Sequence, residues 1–214
     1  MIKLKIRKID KSKIIVFCSF TIILLSFFFI SYNLYSKYKS EKNNDLQIKE
    51  YFEIQETINN NQEIKQEEKQ NNTQKKEDYF AILEIPKINL FRGFYNINSR
   101  LNNVNKNIQI LKESTMPNVN NSNLILVAHS GNSKVAFFKN LYKLSINDTA
   151  YIYYENNTYT YNLIDTYEIE KNGTFTTTKN NCDTLTLITC KPKSNKQIVF
   201  VFDLKNKIER EKKL

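Results

Sequence analysis

Residues Thr184–Cys190 read TLTLITC. Apolar and polar residues exchange at every second position, the period of a β-strand. This reading assigns Leu185, Leu187 and the closing Cys190 to one face, and Thr186 and Ile188 to the other. A strand that ends on a thiol has two readings. The cysteine either packs as a small apolar side chain, or it sits where the thiolate is favoured and attacks carbon.

Similar runs lie on both sides. FAILEI (Phe80–Ile85), IQIL (Ile108–Leu111), NLILVAH (Asn123–His129), TAYIYYE (Thr149–Glu155), TYTYNLIDTYEIE (Thr158–Glu170) and QIVFVFDL (Gln197–Leu204) all read as strands. Asn156 and Asn157 separate two alternating runs and signal a hairpin, because Asn tolerates positive φ. The tyrosines at 151, 153, 154, 159 and 161 read as cross-strand packing in that hairpin. VAFFKNLYKL (Val135–Leu144) sets Phe137, Leu141 and Leu144 on one face at helical spacing and predicts a helix. Many short strands with one helix predict a mainly β fold, a closed or nearly closed barrel, over residues 79–214. No solenoid repeat interrupts it.

The chain has 214 residues, 41% of them hydrophobic, with 32 Lys+Arg against 22 Asp+Glu and a net charge of +10. Such a surplus would suit a nucleic-acid binder. Its distribution argues for a membrane instead, because Lys3, Lys5, Arg7, Lys8, Lys11 and Lys13 precede the uncharged apolar segment Ile14–Ser36. A helix of about 20 residues spans the hydrocarbon core, so residues 14–36 are expected to cross it. The basic tail, residues 1–13, would remain cytoplasmic and the rest would lie outside. A cleaved signal peptide needs small residues at its processing site, yet the first alanine is Ala81, which favours an uncleaved anchor. Residues 37–78, rich in Asn, Gln, Glu and Lys, read as a polar low-complexity stalk with too little apolar surface to offset the entropy of ordering. Within it, Tyr51, Ile54 and Ile58 fall at helical spacing.

Cys18 lies in the apolar segment, leaving Cys182 and Cys190 outside. In an extended run each residue adds about 3.3 Å, which separates those two thiols beyond disulfide reach. No His or Cys cluster has zinc spacing, no glycine-rich loop would cradle phosphate, and no acidic loop claims calcium. No metal and no cofactor are expected.

His129 is the sole histidine, and it closes the strand NLILVAH as Cys190 closes TLTLITC. Taken singly, each is as readily structural as chemical. Together they offer a thiolate and an imidazole at two strand ends, the pairing that activates a cysteine nucleophile. Ser130 and Asn132 follow on a loop, where either could orient the imidazole or cap the turn.

TLITC, with an upstream strand ending in AH, resembles the sortase family. ILEIPKINL (Ile82–Leu90) is similar to that family's opening strand pattern, as are ESTMPNVNNSNLILVAHSG (Glu113–Gly131) and AFFKNLYKLSINDTAYIYY (Ala136–Tyr154) to the segments around its histidine. The resemblance covers Tyr79 to Leu204 and implies an eight-stranded β-barrel, class A- or D-like, with one or two short helices. It implies a membrane-anchored cysteine transpeptidase on the outer face of a Gram-positive-type cell. Cys190 would be the nucleophile, His129 its acid/base partner, and Thr189 a residue shaping the substrate groove. The implied substrates are surface proteins with a C-terminal LPXTG-like signal, and the implied acceptor is a cell-wall precursor or pilin amine. One feature departs from the family, which carries an arginine on the strand after the cysteine. Here that segment is KPKSNKQIVFVF, and no arginine occurs between Cys190 and Arg210. Either Lys196 or Gln197 stands in its place, or a remote Arg92 or Arg100 reaches the site. That departure keeps a peptide-binding barrel without turnover in view, and a simple peptide hydrolase shares the same residues.

Overall fold

The computed structural model describes residues 11–60, 77–171 and 182–210. A long helix, α1 (Lys11–Asn60), precedes eight strands: β1 (Ala81–Ile85), β2 (Leu90–Phe94), β3 (Gln109–Ile110), β4 (Asn123–Val127), β5 (Thr149–Tyr154), β6 (Asn157–Glu170), β7 (Thr184–Cys190) and β8 (Lys196–Glu209). They form one sheet in the order β2-β1-β5-β6-β8-β7-β4-β3, curled into a nearly closed barrel. Its interior is filled by Leu83, Phe94, Leu124, Leu126, Leu185, Leu187, Phe200 and Phe202, all buried. At roughly 1.5–3 kcal/mol for each such side chain removed from water, this inward stripe is the main force closing the sheet.

β2 has no counterpart among the alternating runs, because Arg92 and Gly93 break the pattern of LFRGF. It forms because Pro86 opens a single 3-10 turn and Asn89 takes a left-handed φ of 52°, folding the chain back onto β1 with Ile85 opposite Leu90. The β5–β6 hairpin turns one residue earlier than the Asn pair suggested: Tyr154 faces Asn157, and the positive φ, 52°, falls on Glu155. The helix expected over Val135–Leu144 is reduced to one 3-10 turn at Leu141–Lys143. The amide of Phe138 bonds to the His129 carbonyl at 3.0 Å, and Phe138 and Leu141 are buried in the barrel. Anchoring to the strand end replaces the bonds a longer helix would have made.

One face assignment changes, and a bulge sets another. Strand parity puts Cys190 with Ile188 rather than with Leu185 and Leu187, and Ile188 belongs to an outer cluster with Ile125 and Val199. In β6 an irregularity between Leu163 and Asp165 inserts an extra residue. Such a bulge reverses which side later residues face. Tyr159, Tyr161 and Leu163 therefore fill the interior, whereas Tyr167 and Ile169 lie against the outer cluster.

The polar stretch does not stay apart from the barrel. α1 continues to Asn60, and the compact unit that holds the barrel begins at Asn44 rather than at residue 79. Ile48 and Tyr51 are buried with Tyr79, Ile82 and Tyr95 in a second cluster. Asn44, only 5% exposed, donates to the Phe91 carbonyl at 3.1 Å and accepts from the Tyr79 hydroxyl at 3.0 Å. Its amide thereby meets backbone of β2, an edge strand whose groups would otherwise need another partner. A few apolar and amide groups, sparsely spaced in a polar segment, suffice to order that part of it.

Gly93 is required by this docking, since a Cβ there would lie 1.9 Å from Cδ2 of Tyr79. Gly93→Ala is expected to cost about 1–3 kcal/mol, as overpacking does, measured by urea unfolding. In a Tyr79→Ala background the same change should cost much less, because the clash is gone.

Candidate active site

β4 and β7 lie side by side and parallel, with Val127 opposite Ile188, while every other described strand pair is antiparallel. Parallel neighbours finish at the same rim. His129 and Cys190 each lie two residues beyond a partner in the Val127–Ile188 pair, so they leave adjacent strand ends, about 4.8 Å apart in a sheet, toward the same outer face. Both side chains are half-buried.

Several bonds hold the two ends together past the regular ladder. The Ala128 amide donates to the Ile188 carbonyl at 3.3 Å, Thr189 Oγ1 donates to the Ala128 carbonyl at 2.8 Å, and Ser130 Oγ donates to the Cys190 carbonyl at 2.5 Å. Ser130 thus ties the strand end that carries the histidine to the one that carries the thiol, and it makes this bond with backbone rather than with the imidazole. Asn132 is exposed. Thr189 is 4% exposed and lies on the same side as Leu187, where its hydroxyl staples β7 to the end of β4. The imidazole Nε2 of His129 lies 3.1 Å from Oδ1 of Asn105, a residue the sequence reading did not single out.

The two candidates for the missing arginine part company. Gln197 pairs directly with Cys190 across β7 and β8, so the two share a face. Lys196 is one residue away and on the opposite face, where its Nζ lies 3.6 Å from Glu168. Lys191 also binds Glu168. The Lys191 hydrogen bond and the two ammonium charges hold the Glu168 carboxyl below its usual range, against a smaller desolvation effect. The loop is short because Lys193 adopts φ 55° and the Lys191 amide bonds to the Lys196 carbonyl at 2.9 Å. Arg92 lies opposite Leu83, its Nε donates to Asn107 Oδ1 at 3.2 Å, and its guanidinium stacks 4.2 Å from the Phe137 ring centroid. Arg100 is exposed.

Below the two strand ends runs an apolar strip on the same outer face: Ile125, Ile188 and Val199 buried, with Val127, Tyr167, Ile169 and Val201 beside them. Such a strip can take an extended apolar peptide, and backbone at a strand-like spacing suits it. Tyr167 and Ile169 reach this face because the β6 bulge turns them away from the side that Tyr159 and Tyr161 share. No group of three or more His, Cys, Asp or Glu residues that could hold a metal ion occurs among the described residues.

Residues 83–204 match the family model of the sortase domain. The fold is similar to sortase A from Corynebacterium diphtheriae, with TM-score 0.55 and 20% identity over 62% of this chain and 63% of that one. It is also similar to a Clostridium perfringens sortase D5 transpeptidase, with TM-score 0.52 and 22% identity over 60% of this chain and 80% of that one. Listeria monocytogenes sortase A gives TM-score 0.51 and 20% identity over 64% of this chain and 93% of that one. No curated protein sequence matches significantly. This chain belongs to the sortase family, whose members are cysteine transpeptidases. The matched part spans less than two thirds of the Corynebacterium chain.

If Thr189 is a staple, Thr189→Val should lower stability by about 1 kcal/mol, the worth of an ordinary hydrogen bond. Urea unfolding checks this, and apparent peptide affinity in equilibrium binding should stay within about 2-fold, since an inward-facing group lends a ligand little energy.

Proposed function

We propose that this chain is a membrane-anchored transpeptidase that cleaves an LPXTG-like signal through a Cys190 thioester and passes the acyl group to an envelope amine. One observation carries the reading: thiol and imidazole leave adjacent parallel strands at one rim, on one face, above an apolar strip. The Cys190 thiolate adds to the carbonyl carbon of the scissile bond. As the C–N bond breaks, the His129 imidazolium gives its proton to the departing amine and a thioester remains. An acceptor amine then adds to the thioester, loses a proton to His129 and expels the thiolate. The thioester keeps the acyl group activated, so the exchange needs no external energy source.

Gln197 takes the position of the family arginine in this reading. Its side-chain N–H can bond a developing oxyanion, but it brings no charge and only one amide, where a guanidinium offers a planar fork. Lys196 is spent on Glu168 instead. The same neutral Gln197 supports a second reading, a barrel that holds its peptide with little turnover. One described helix is long and apolar enough to cross a membrane. With the basic residues before it, its N-terminus would be cytoplasmic and the barrel extracellular.

Full-length protein in detergent, incubated with an LPXTG-type peptide and an amine, should form an acyl-enzyme seen by intact mass and then a peptide–amine product. Cys190→Ala should abolish both, and His129→Ala should slow them at least about 100-fold. Gln197→Ala should cost on the order of 100-fold, whereas Lys196→Ala should stay within about 2-fold, as for an exposed ion pair. Bound but unmodified peptide under all conditions would favour the binding reading. Carboxylate as the sole product would favour a hydrolase.

A further inference from the structure

We propose that Asn105 is the positioning residue for His129: its side-chain oxygen holds the imidazole as the Nε2–H tautomer and leaves Nδ1 as the nitrogen that exchanges protons during acyl transfer. The inference rests on the Cys190–His129 reading, and it adds a residue and a proton assignment that the reading does not contain.

Asn105 Oδ1 lies 3.1 Å from His129 Nε2. An amide oxygen only accepts, so with Oδ1 facing the ring the proposal assigns the hydrogen to Nε2 in the neutral ring as well as in the cation. Neutral imidazole has one N–H, so the lone pair is then on Nδ1. Proton accounting follows. When the C–N bond of the substrate breaks, the hydrogen on Nδ1 passes to the leaving amine and the electron pair stays on Nδ1. When the acceptor amine attacks, Nδ1 takes a hydrogen back. The other hydrogen stays on Nε2, donated to Asn105 Oδ1, throughout.

The loop between β2 and β3 is built to hold Asn105 still. The Asn105 amide donates to Asn103 Oδ1 at 2.8 Å, and the amides of Lys106 and Asn107 donate to the Asn103 carbonyl at 2.8 and 2.9 Å. Asn107, 2% exposed, donates to the Gly93 carbonyl at 2.9 Å and accepts from Arg92. Asn102 donates to the Ile97 and Ile110 carbonyls at 3.2 and 3.0 Å and accepts from the Ile110 amide at 2.7 Å. Asparagine side chains here replace the backbone partners that a loop lacks, joining both neighbouring strands. On the other side, the Phe138 amide fixes the His129 carbonyl at 3.0 Å. With both backbones set, the Asn105 bond selects the ring orientation, which is how supporting contacts preorganise a reactive group.

The chain has one histidine, so 15N-histidine labelling of the full-length protein in detergent micelles gives a spectrum of this ring alone. Long-range 1H–15N spectra of the wild type at a pH where the ring is neutral should show a protonated Nε2 and an unprotonated Nδ1. Asn105→Ala should give a tautomer mixture and slow acyl-enzyme formation on the order of 10-fold, with KM for the peptide within about 2-fold. Asn105→Asp, which keeps an acceptor oxygen, should restore the Nε2–H form. A wild-type ring in the Nδ1–H form, or an Asn105→Ala spectrum identical to wild type, overturns the proposal. A wild type that forms no acyl-enzyme with any peptide counts against the transpeptidase reading instead, and the tautomer result still decides the role of Asn105.

Discussion

The parallel pairing of β4 with β7 is the constraint from which the site follows. Had these strands run antiparallel over the same five-residue ladder, His129 and Cys190, each two residues past an opposite end of it, would lie roughly 26 Å apart at about 3.3 Å per residue. Parallel neighbours require a long crossover, and here the chain between them supplies β5 and β6 before it returns. The barrel is therefore less a container for the site than the route by which two distant strand ends become adjacent. Thr189, Ser130 and the Ala128 amide then pin the ends beyond the last ladder pair.

The two outer surfaces with apolar clusters are handled differently. On β1, β2 and β5 the helix segment starting at Asn44 covers the cluster, with Ile48 and Tyr51 packed in and Asn44 meeting the strand edge. On β4, β7 and β8 the cluster of Ile125, Ile188 and Val199 lies on the face to which strand parity assigns Cys190. The first arrangement completes the folded unit. The second leaves an apolar strip next to Cys190, a surface on which a peptide chain would gain from burial.

In the proposed reading the family pattern is altered at one residue, and the alteration is local. A guanidinium opposite Cys190 would combine charge with two parallel donors; Gln197 retains a donor and loses the charge. The ammonium groups nearby, Lys191 and Lys196, are turned to the other face and share Glu168. Direction on a strand is fixed by parity, so proximity in sequence does not give Lys196 access to the thiol's side. A proton path through His129 that depends on a well-held ring would matter more where the charge is missing.

Much of this was legible before any coordinates. Alternation and turn residues identified most of the strands, a 23-position apolar run after a basic tail marked a helix long and apolar enough to cross a membrane, and TLITC with an upstream AH pointed to the family. Local chemistry sets these features, so local sequence reports them. The rest depends on contacts between distant segments. β2 forms only because it has β1 to pair with, Asn44 and Tyr51 are ordered only because a strand face awaits them, and the β6 bulge redirects Tyr167 and Ile169 without any marker in their own spacing. The choice between Lys196 and Gln197 required the β7–β8 register, and Asn105 became visible only when its loop met His129. Sequence determined which groups the protein carries; tertiary structure decided which of them face one another, because register and crossover are properties of pairs of segments and belong to neither alone.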